Sequence, residues 1–248
     1  MTQPVLELRG LSKSFGGLSA VQGVTLEVLP GDRAAVIGPN GAGKTTLFNL
    51  ITGVLPSSAG RVLLFGEDVT GWPSHRRTAL GMARTFQITS LFPKLSVLDN
   101  VLLAVGGLRR TKFVMWRTLS SYAGLHDKAR RLLEAAGYWE RRDAEVRSLS
   151  HGEQRQIEIV LGLASDPKLL LLDEPCAGLS SGESREMAAF LKRLDPALAI
   201  LLIEHDMDVV FDVVERISVL HFGQVVEQGG AAAIRASPRV QEIYLGTG

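Results

Sequence analysis

The stretch "RAAVIGPNGAGKTTLFNL", Arg33–Leu50, decides the fold. It opens on a short apolar run, passes through a glycine-rich loop, and takes on a helical pattern from Lys44 to Leu55. The order is strand, loop, helix. Within it Gly38, Pro39, Asn40, Gly41, Ala42, Gly43, Lys44 and Thr45 match the spacing G-x-x-x-x-G-K-[ST]. Glycines at those places let backbone N–H groups wrap phosphates without side-chain clash. The Lys44 ammonium is placed to reach β- and γ-phosphates, Thr46 extends the cradle into the first turn, and the Thr45 hydroxyl suits Mg²⁺.

Working outward, a second apolar run, "KLLLLDEP", follows the Asp166-Pro167 turn and ends in two carboxylates. Asp173 falls at the C-terminal end of a buried strand, where open α/β sheets place their ligands. It is positioned to hold Mg²⁺, directly or through water. Glu174 follows, and a carboxylate there can orient and polarise a water against a γ-phosphate. "LAILLIEH" is another uninterrupted run, and such runs suit parallel strands covered on both faces.

The remaining segments read differently. "VLELRGLSKSF" and "VTLEVLPGD" alternate apolar and polar residues, as half-exposed antiparallel strands do. "GRVLLFGEDV" reads as a strand, and "RISVLHFGQVVEQG" as a hairpin around Phe222-Gly223. Between Ser90 and Ala164 the pattern turns helical, with a Ser cap opening "SVLDNVLLAV" and a glycine stop closing "HDKARRLLEAAG". In "SLSHGEQRQIEIVLGLA", Ser148–Ala164, Ser150 and Glu153 have capping-box spacing. Gly152 leaves the first turn bare, so its N–H can face an anion. The expected fold is an α/β core with a small antiparallel subdomain at the front and a helical insert.

Size and composition fit this. The 248 residues carry a net charge of +1, so no basic field points to nucleic acid. The single cysteine, Cys176, excludes an internal disulfide and suits a reducing cytoplasm. The start, "MTQPVLELRG", lacks a secretory pattern, and no apolar run is long enough to span a membrane. Any membrane role would then need a partner to hold the chain there.

With both phosphate elements in view, the chain resembles the ATP-binding subunit of ABC transporters. "LSHGEQ" stands where that family has its signature sequence, Gln87 in "RTFQ" matches the Q-loop, and His205 in "IEHDM" matches the switch histidine. Phe15 in "LSKSFGG" matches the aromatic that stacks on adenine. The resemblance spans essentially the whole chain. It implies one ABC ATPase domain over 1–248: a P-loop NTPase, RecA-like core with its antiparallel β subdomain at about 1–88 and 165–248, and a helical signature subdomain at about 89–164. It implies ATP and Mg²⁺ as ligands, with Gln87 joining Thr45 and Asp173 at the metal, and Lys44, Gln87, Glu174 and His205 as the catalytic set. It also implies a head-to-tail dimer, in which Ser150, Gly152 and Glu153 serve the ATP of a second copy or a paralogous ATPase. Two departures stand out: His151 and Glu153 replace the usual Gly and Gln of the signature, and Ser180 stands where a loop Asp is common.

Phrases such as "RTFQITSLFPKLSVLDNVLLA", "DEPCAGL" and "IEHDMDVVF" resemble the branched-chain amino-acid importers. That resemblance implies permease subunits in the membrane, a solute-binding protein beyond them, and a peripheral place on the inner face. Importers of urea, amides or aromatic acids, and the ATPase of lipopolysaccharide export, are the alternatives, together with a soluble non-transport ABC ATPase. Leu91 and Phe92, just after the Q-loop, are expected to meet the permease. The segment 106–131, with Trp116 at its middle, reads as a solvated loop, a local helix, or a second membrane-facing contact.

Overall fold

The computed structural model describes residues 3–85, 91–107 and 123–245. Its contacts divide the chain into two units, one of 1–84, 168–174 and 196–248, the other of 85–167 and 175–195.

The first unit is built on two sheets. Strands β1 (Leu6–Phe15), β2 (Leu18–Val28), β4 (Ala59–Leu64) and β5 (Glu67–Asp68) form an antiparallel sheet in the order β2-β1-β4-β5. The alternating burial of β2, with Val24, Leu26 and Val28 inside, is the period-two pattern of its sequence. The second sheet contains β3 (Arg33–Ile37), β6 (Met82–Arg84), β7 (Leu169–Asp173), β8 (Ala199–Ile203), β9 (Arg216–His221) and β10 (Gln224–Gly230). Its order is β10-β9-β3-β8-β7-β6, with every pairing parallel except the β9–β10 hairpin. All five residues of β7 and of β8 are buried, which is why their sequences are unbroken aliphatic runs.

Helix α1 (Lys44–Thr52) leaves the glycine-rich loop and buries Lys44, Leu47, Phe48, Leu50, Ile51 and Thr52. Leu47, Phe48 and Ile51 join one core with Leu6, Leu8 and Leu64 of the first sheet and Leu171, Leu201 and Ile203 of the second. Each side chain of that size contributes about 1.5–3 kcal/mol when removed from water. The helix stops at Thr52, three residues short of the Leu55 its periodicity allows, because Gly53 turns left-handed and its N–H closes on the Leu50 carbonyl. Arg77, in helix α2 (Ser74–Ala79), finishes that end. Its guanidinium is 1% exposed and donates to the carbonyls of Leu50 at 2.8 Å and Ile51 at 2.7 Å, and to those of Thr70 and Trp72. A cation at the carbonyl end of a helix complements its dipole.

"GRVLLFGEDV" is two strands rather than one: positive φ at Phe65 and Gly66 folds β5 back on β4. The same device at Phe222 and Gly223 makes the β9–β10 hairpin, as the sequence pattern predicts. Helices α7 (Met207–Val213), α8 (Ala231–Ala236) and α9 (Pro238–Leu245) complete this unit.

The second unit is helical: α3 (Val97–Gly107), α4 (Ala123–Ala136), α5 (His151–Leu163) and α6 (Ser181–Arg193). Val101, Leu133, Ile157, Val160, Met187, Phe190 and Leu191 are buried in it. Ser96 caps α3 by accepting the Asp99 N–H at 3.0 Å, and Gly137 ends α4 in a left-handed conformation. The contacts place α6 with these helices. The sequence reading leaves that segment in the core lobe. No described helix is long and apolar enough to cross a membrane.

Candidate functional site

Three neighbouring parallel strands carry the candidate residues to one edge of the first unit. β3 runs into the loop Gly38–Gly43, β8 beside it runs into His205, and β7 beside β8 ends in Asp173-Glu174. Their shared direction puts all three carboxyl ends together, the place where open α/β sheets bind ligands.

The loop is shaped by what its glycines exclude. Gly38 has φ 151°, and a Cβ there would lie 2.0 Å from the Leu220 carbonyl oxygen. Gly43 caps α1 at φ 103°, where a Cβ would fall 2.4 Å from the Ala20 carbonyl. No other L-residue fits either place. Ala42 is buried, accepts the Gly223 N–H at 2.9 Å, and so ties the loop to the β9–β10 hairpin. Asn40, Gly41 and Thr45 are exposed, with Pro39 and Thr46 partly so. Lys44 is buried, and its ammonium donates to the carbonyls of Gly38 at 2.7 Å and Pro39 at 3.0 Å. Burial pulls its pKa down, and the charges of Glu174 and Asp173 partly oppose this. The loop therefore stores a cation inside its own curve.

Asp173 is buried, and its Oδ2 accepts from the Arg84 guanidinium at 2.6 Å. Its Oδ1 is also buried and has no hydrogen-bond partner among the described residues. Such an atom marks a place for an ion or bound water. Together with the exposed Thr45 hydroxyl this fits Mg²⁺, which takes one or two protein oxygens and completes its shell with water and phosphate. Among the described residues no cluster of three or more His, Cys, Asp or Glu forms a self-sufficient metal cage.

Glu174 has φ 50°, a strained conformation for a non-glycine residue, and its N–H is held by the Ile203 carbonyl at 2.9 Å. The end of β8 thus fixes where that carboxylate leaves the chain. His205 stands 58% exposed beyond β8. Beneath it Glu204, fully buried, accepts the N–H groups of His205 at 2.8 Å and Asp206 at 3.3 Å. Phe15 ends β1 with its ring 47% exposed and the Lys13 ammonium 5.1 Å from its centroid, so it is not a core residue. A cationic, half-open aromatic face suits a flat π-system. Gln87 lies outside the described residues, as does Trp116.

In the second unit the capping box of α5 forms as its spacing predicts. The Ser150 hydroxyl accepts the Glu153 N–H at 3.2 Å, and Glu153 accepts the Ser150 N–H at 2.8 Å. Arg141 pairs with the other Glu153 oxygen. The Gly152 N–H, which the sequence reading leaves open for an anion, donates to Glu183 at 3.0 Å. Glu183 belongs to a second capping box, with Ser180 as the cap of α6. That settles the local role of Ser180. Held by the N–H groups of Gly152 and Ser180, the Glu183 carboxyl drops to a pKa of about 2. A Cβ at Gly152 would lie 3.0 Å from that of Glu183 and would press on this contact. After the Q-loop, Leu91 is buried and Phe92 is 56% exposed. Buried Asn100 holds this turn, accepting the Phe92 N–H and donating to its carbonyl.

Four contributors have no role in the motif reading: Arg84 and Glu204, which stand inside "RTFQ" and "IEHDM", and Asn100 and Glu183. Only Glu183 left a sequence trace, the S-x-x-E spacing from Ser180.

A family model described as ABC transporter matches residues 21–177. The chain is 38% identical to the high-affinity branched-chain amino acid transport ATP-binding protein LivG of Escherichia coli K12, with 99% of each chain covered. It is 36% identical to BraF of Pseudomonas aeruginosa, a protein of the same description, at the same coverage. Among solved structures it is similar to the ADP conformation of an ABC transporter cassette, with TM-score 0.86, 30% identity, and 99% and 100% of the two chains covered. A nucleotide-free cassette gives TM-score 0.83 at 29% identity, covering 97% and 98%.

Proposed function

The chain belongs to the ABC transporter family and is an ATPase of that family; from this premise we propose that it energises import of branched-chain amino acids. The observation that carries the chemistry is the meeting of Lys44, Asp173-Glu174 and His205 at the ends of β3, β7 and β8. The cargo follows from likeness over the full length of LivG and BraF.

In this reading Gly38–Gly43, Lys44 and Thr46 receive the ATP phosphates, and Phe15 stacks on adenine. Thr45, Asp173 and Gln87 hold Mg²⁺, whose charge offsets that of the phosphates when bound. ATP draws the Lys44 ammonium from the Gly38 and Pro39 carbonyls to the β/γ-oxygens, exchanging neutral acceptors for charged ones. Glu174 accepts a proton from the attacking water, and His205 steadies the γ-phosphate. Ser150, Gly152 and Glu153 serve the nucleotide of a second ATPase, a copy or a paralogue, and for that the Gly152 N–H exchanges the Glu183 carboxylate for phosphate. Phe92 meets the membrane-embedded permeases, which keep the chain on the cytoplasmic face, and a solute-binding protein delivers the cargo to them.

The test is leucine uptake by vesicles carrying the full complex. Wild-type chain supports ATP-dependent leucine uptake, and Lys44→Ala abolishes it. Uptake of urea or aromatic acids instead of leucine would reassign the cargo. Lipopolysaccharide-export partners in native membranes would replace the import reading.

A further inference from the structure

We propose that Arg84 is a positioning residue for the metal-side carboxylate, fixing which oxygen of Asp173 is left for Mg²⁺. It rests on the reading of Asp173 given above and adds Arg84, which opens the quoted stretch "RTFQ" but has no role in the motif reading.

Arg84 ends the edge strand β6, which pairs in parallel with β7, Arg84 opposite Leu171. Its side chain is 9% exposed and that of Asp173 is 2% exposed. One end of the guanidinium donates to Asp173 Oδ2 at 2.6 Å. The other donates to Asn49 Oδ1 at 2.7 Å and lies 3.3 Å from the Thr52 hydroxyl, both on the phosphate-loop helix α1. The guanidinium carbon sits 5.8 Å from the centroid of the Phe48 ring. A planar fork held at two points cannot swing, so it keeps one side of the Asp173 carboxylate bonded and the other side free of it. Oδ1 is the oxygen left without a partner. The ion pair therefore does two things. It offsets the charge of a carboxylate that would be costly to bury alone, and it gives the two oxygens different tasks. It also links the metal carboxylate to the helix that begins at Lys44. Because Arg84 precedes Gln87 by three positions in sequence, the chain leaves this clamp directly for the Q-loop.

The experiment titrates a fluorescent ATP analogue against purified chain, with Mg²⁺ at graded concentrations and again in EDTA. Melting temperatures confirm that each variant is folded. Loss of a partner that orients a metal ligand weakens metal affinity about 10- to 100-fold. Arg84→Met is expected to raise the Mg²⁺ concentration needed for half-maximal effect by about that factor, leaving EDTA binding unchanged. Arg84→Lys, which keeps the charge but loses the fork, is expected to fall between and serves if Arg84→Met does not fold. A folded Arg84→Met or Arg84→Lys protein with wild-type Mg²⁺ dependence overturns the proposal, as does equal weakening with and without Mg²⁺. Asp173→Asn separates the two layers. If it loses Mg²⁺ dependence and the Arg84 variants do not, only the role of Arg84 falls. If Asp173→Asn keeps it, the reading of Asp173 falls as well.

Discussion

Glu174 shows how much of the chemistry is set by a single backbone angle. Its φ of 50° is held by the bond from its N–H to the Ile203 carbonyl, so a neighbouring strand aims the carboxylate. Strain of this kind costs of order 1–3 kcal/mol and persists only where the surroundings enforce it. Glu174→Gln keeps the shape and the strain but removes the base. We expect hydrolysis to fall by about 10²- to 10⁴-fold, with ATP still bound, as checked by single-turnover phosphate release beside nucleotide binding. At this scale the sequence was readable wherever a motif fixes both residue type and spacing, as from Gly38 to Thr45. Arg84 was not. Its partner Asp173 is 89 positions away, and only the pairing of β6 with β7 brings them together.

At the scale of elements, two helices begin on one carboxylate. Glu183 accepts from the first turn of α5 and from the cap of α6, which lowers its pKa from an ordinary 4.5 to about 2. A carboxyl lowered in the folded state adds stability above its unfolded range, and that gain disappears as pH falls from about 4.5 towards 2. Wild-type chain and Glu183→Gln should thus differ in melting temperature at neutral pH and converge in acid. Curves that stay parallel down to pH 2 would show that the ionised carboxylate carries no such role. The capping box of α5 was legible from Ser150 and Glu153, but the same S-x-x-E spacing at Ser180 was passed over, because the family resemblance presents that residue as a substituted loop position. The reach of Glu183 to Gly152 was not legible, because it depends on α5 and α6 lying side by side in the second unit.

Over the whole chain, the alternation of short strands and helices was enough to foresee a mixed fold with a front antiparallel sheet. The buried aliphatic runs announced the parallel strands. The order β9-β3-β8-β7 was hidden, because it places 33–37 between segments that follow it by well over a hundred residues. That order decides that the site needs nearly the full length of the chain. Nucleotide should then stabilise the fold as one linked equilibrium. With Glu174→Gln to prevent turnover, Mg²⁺-ATP at 100 times its dissociation constant should add about 2.7 kcal/mol, seen as a rise in melting temperature. No rise under saturating Mg²⁺-ATP would mean that nucleotide does not select the folded state.

Arg77 has a consequence for how nucleotide is felt. By gripping the carbonyls of Leu50 and Ile51 it secures the rear of α1 before any phosphate reaches Lys44 at the front. A helix tied at its far end has little backbone left to order there, so amide exchange near Leu50 is expected to be slow in the empty and filled states alike. The rear of α1 then acts as a fixed footing, against which the Lys44 ammonium at the front exchanges its loop carbonyls for phosphate.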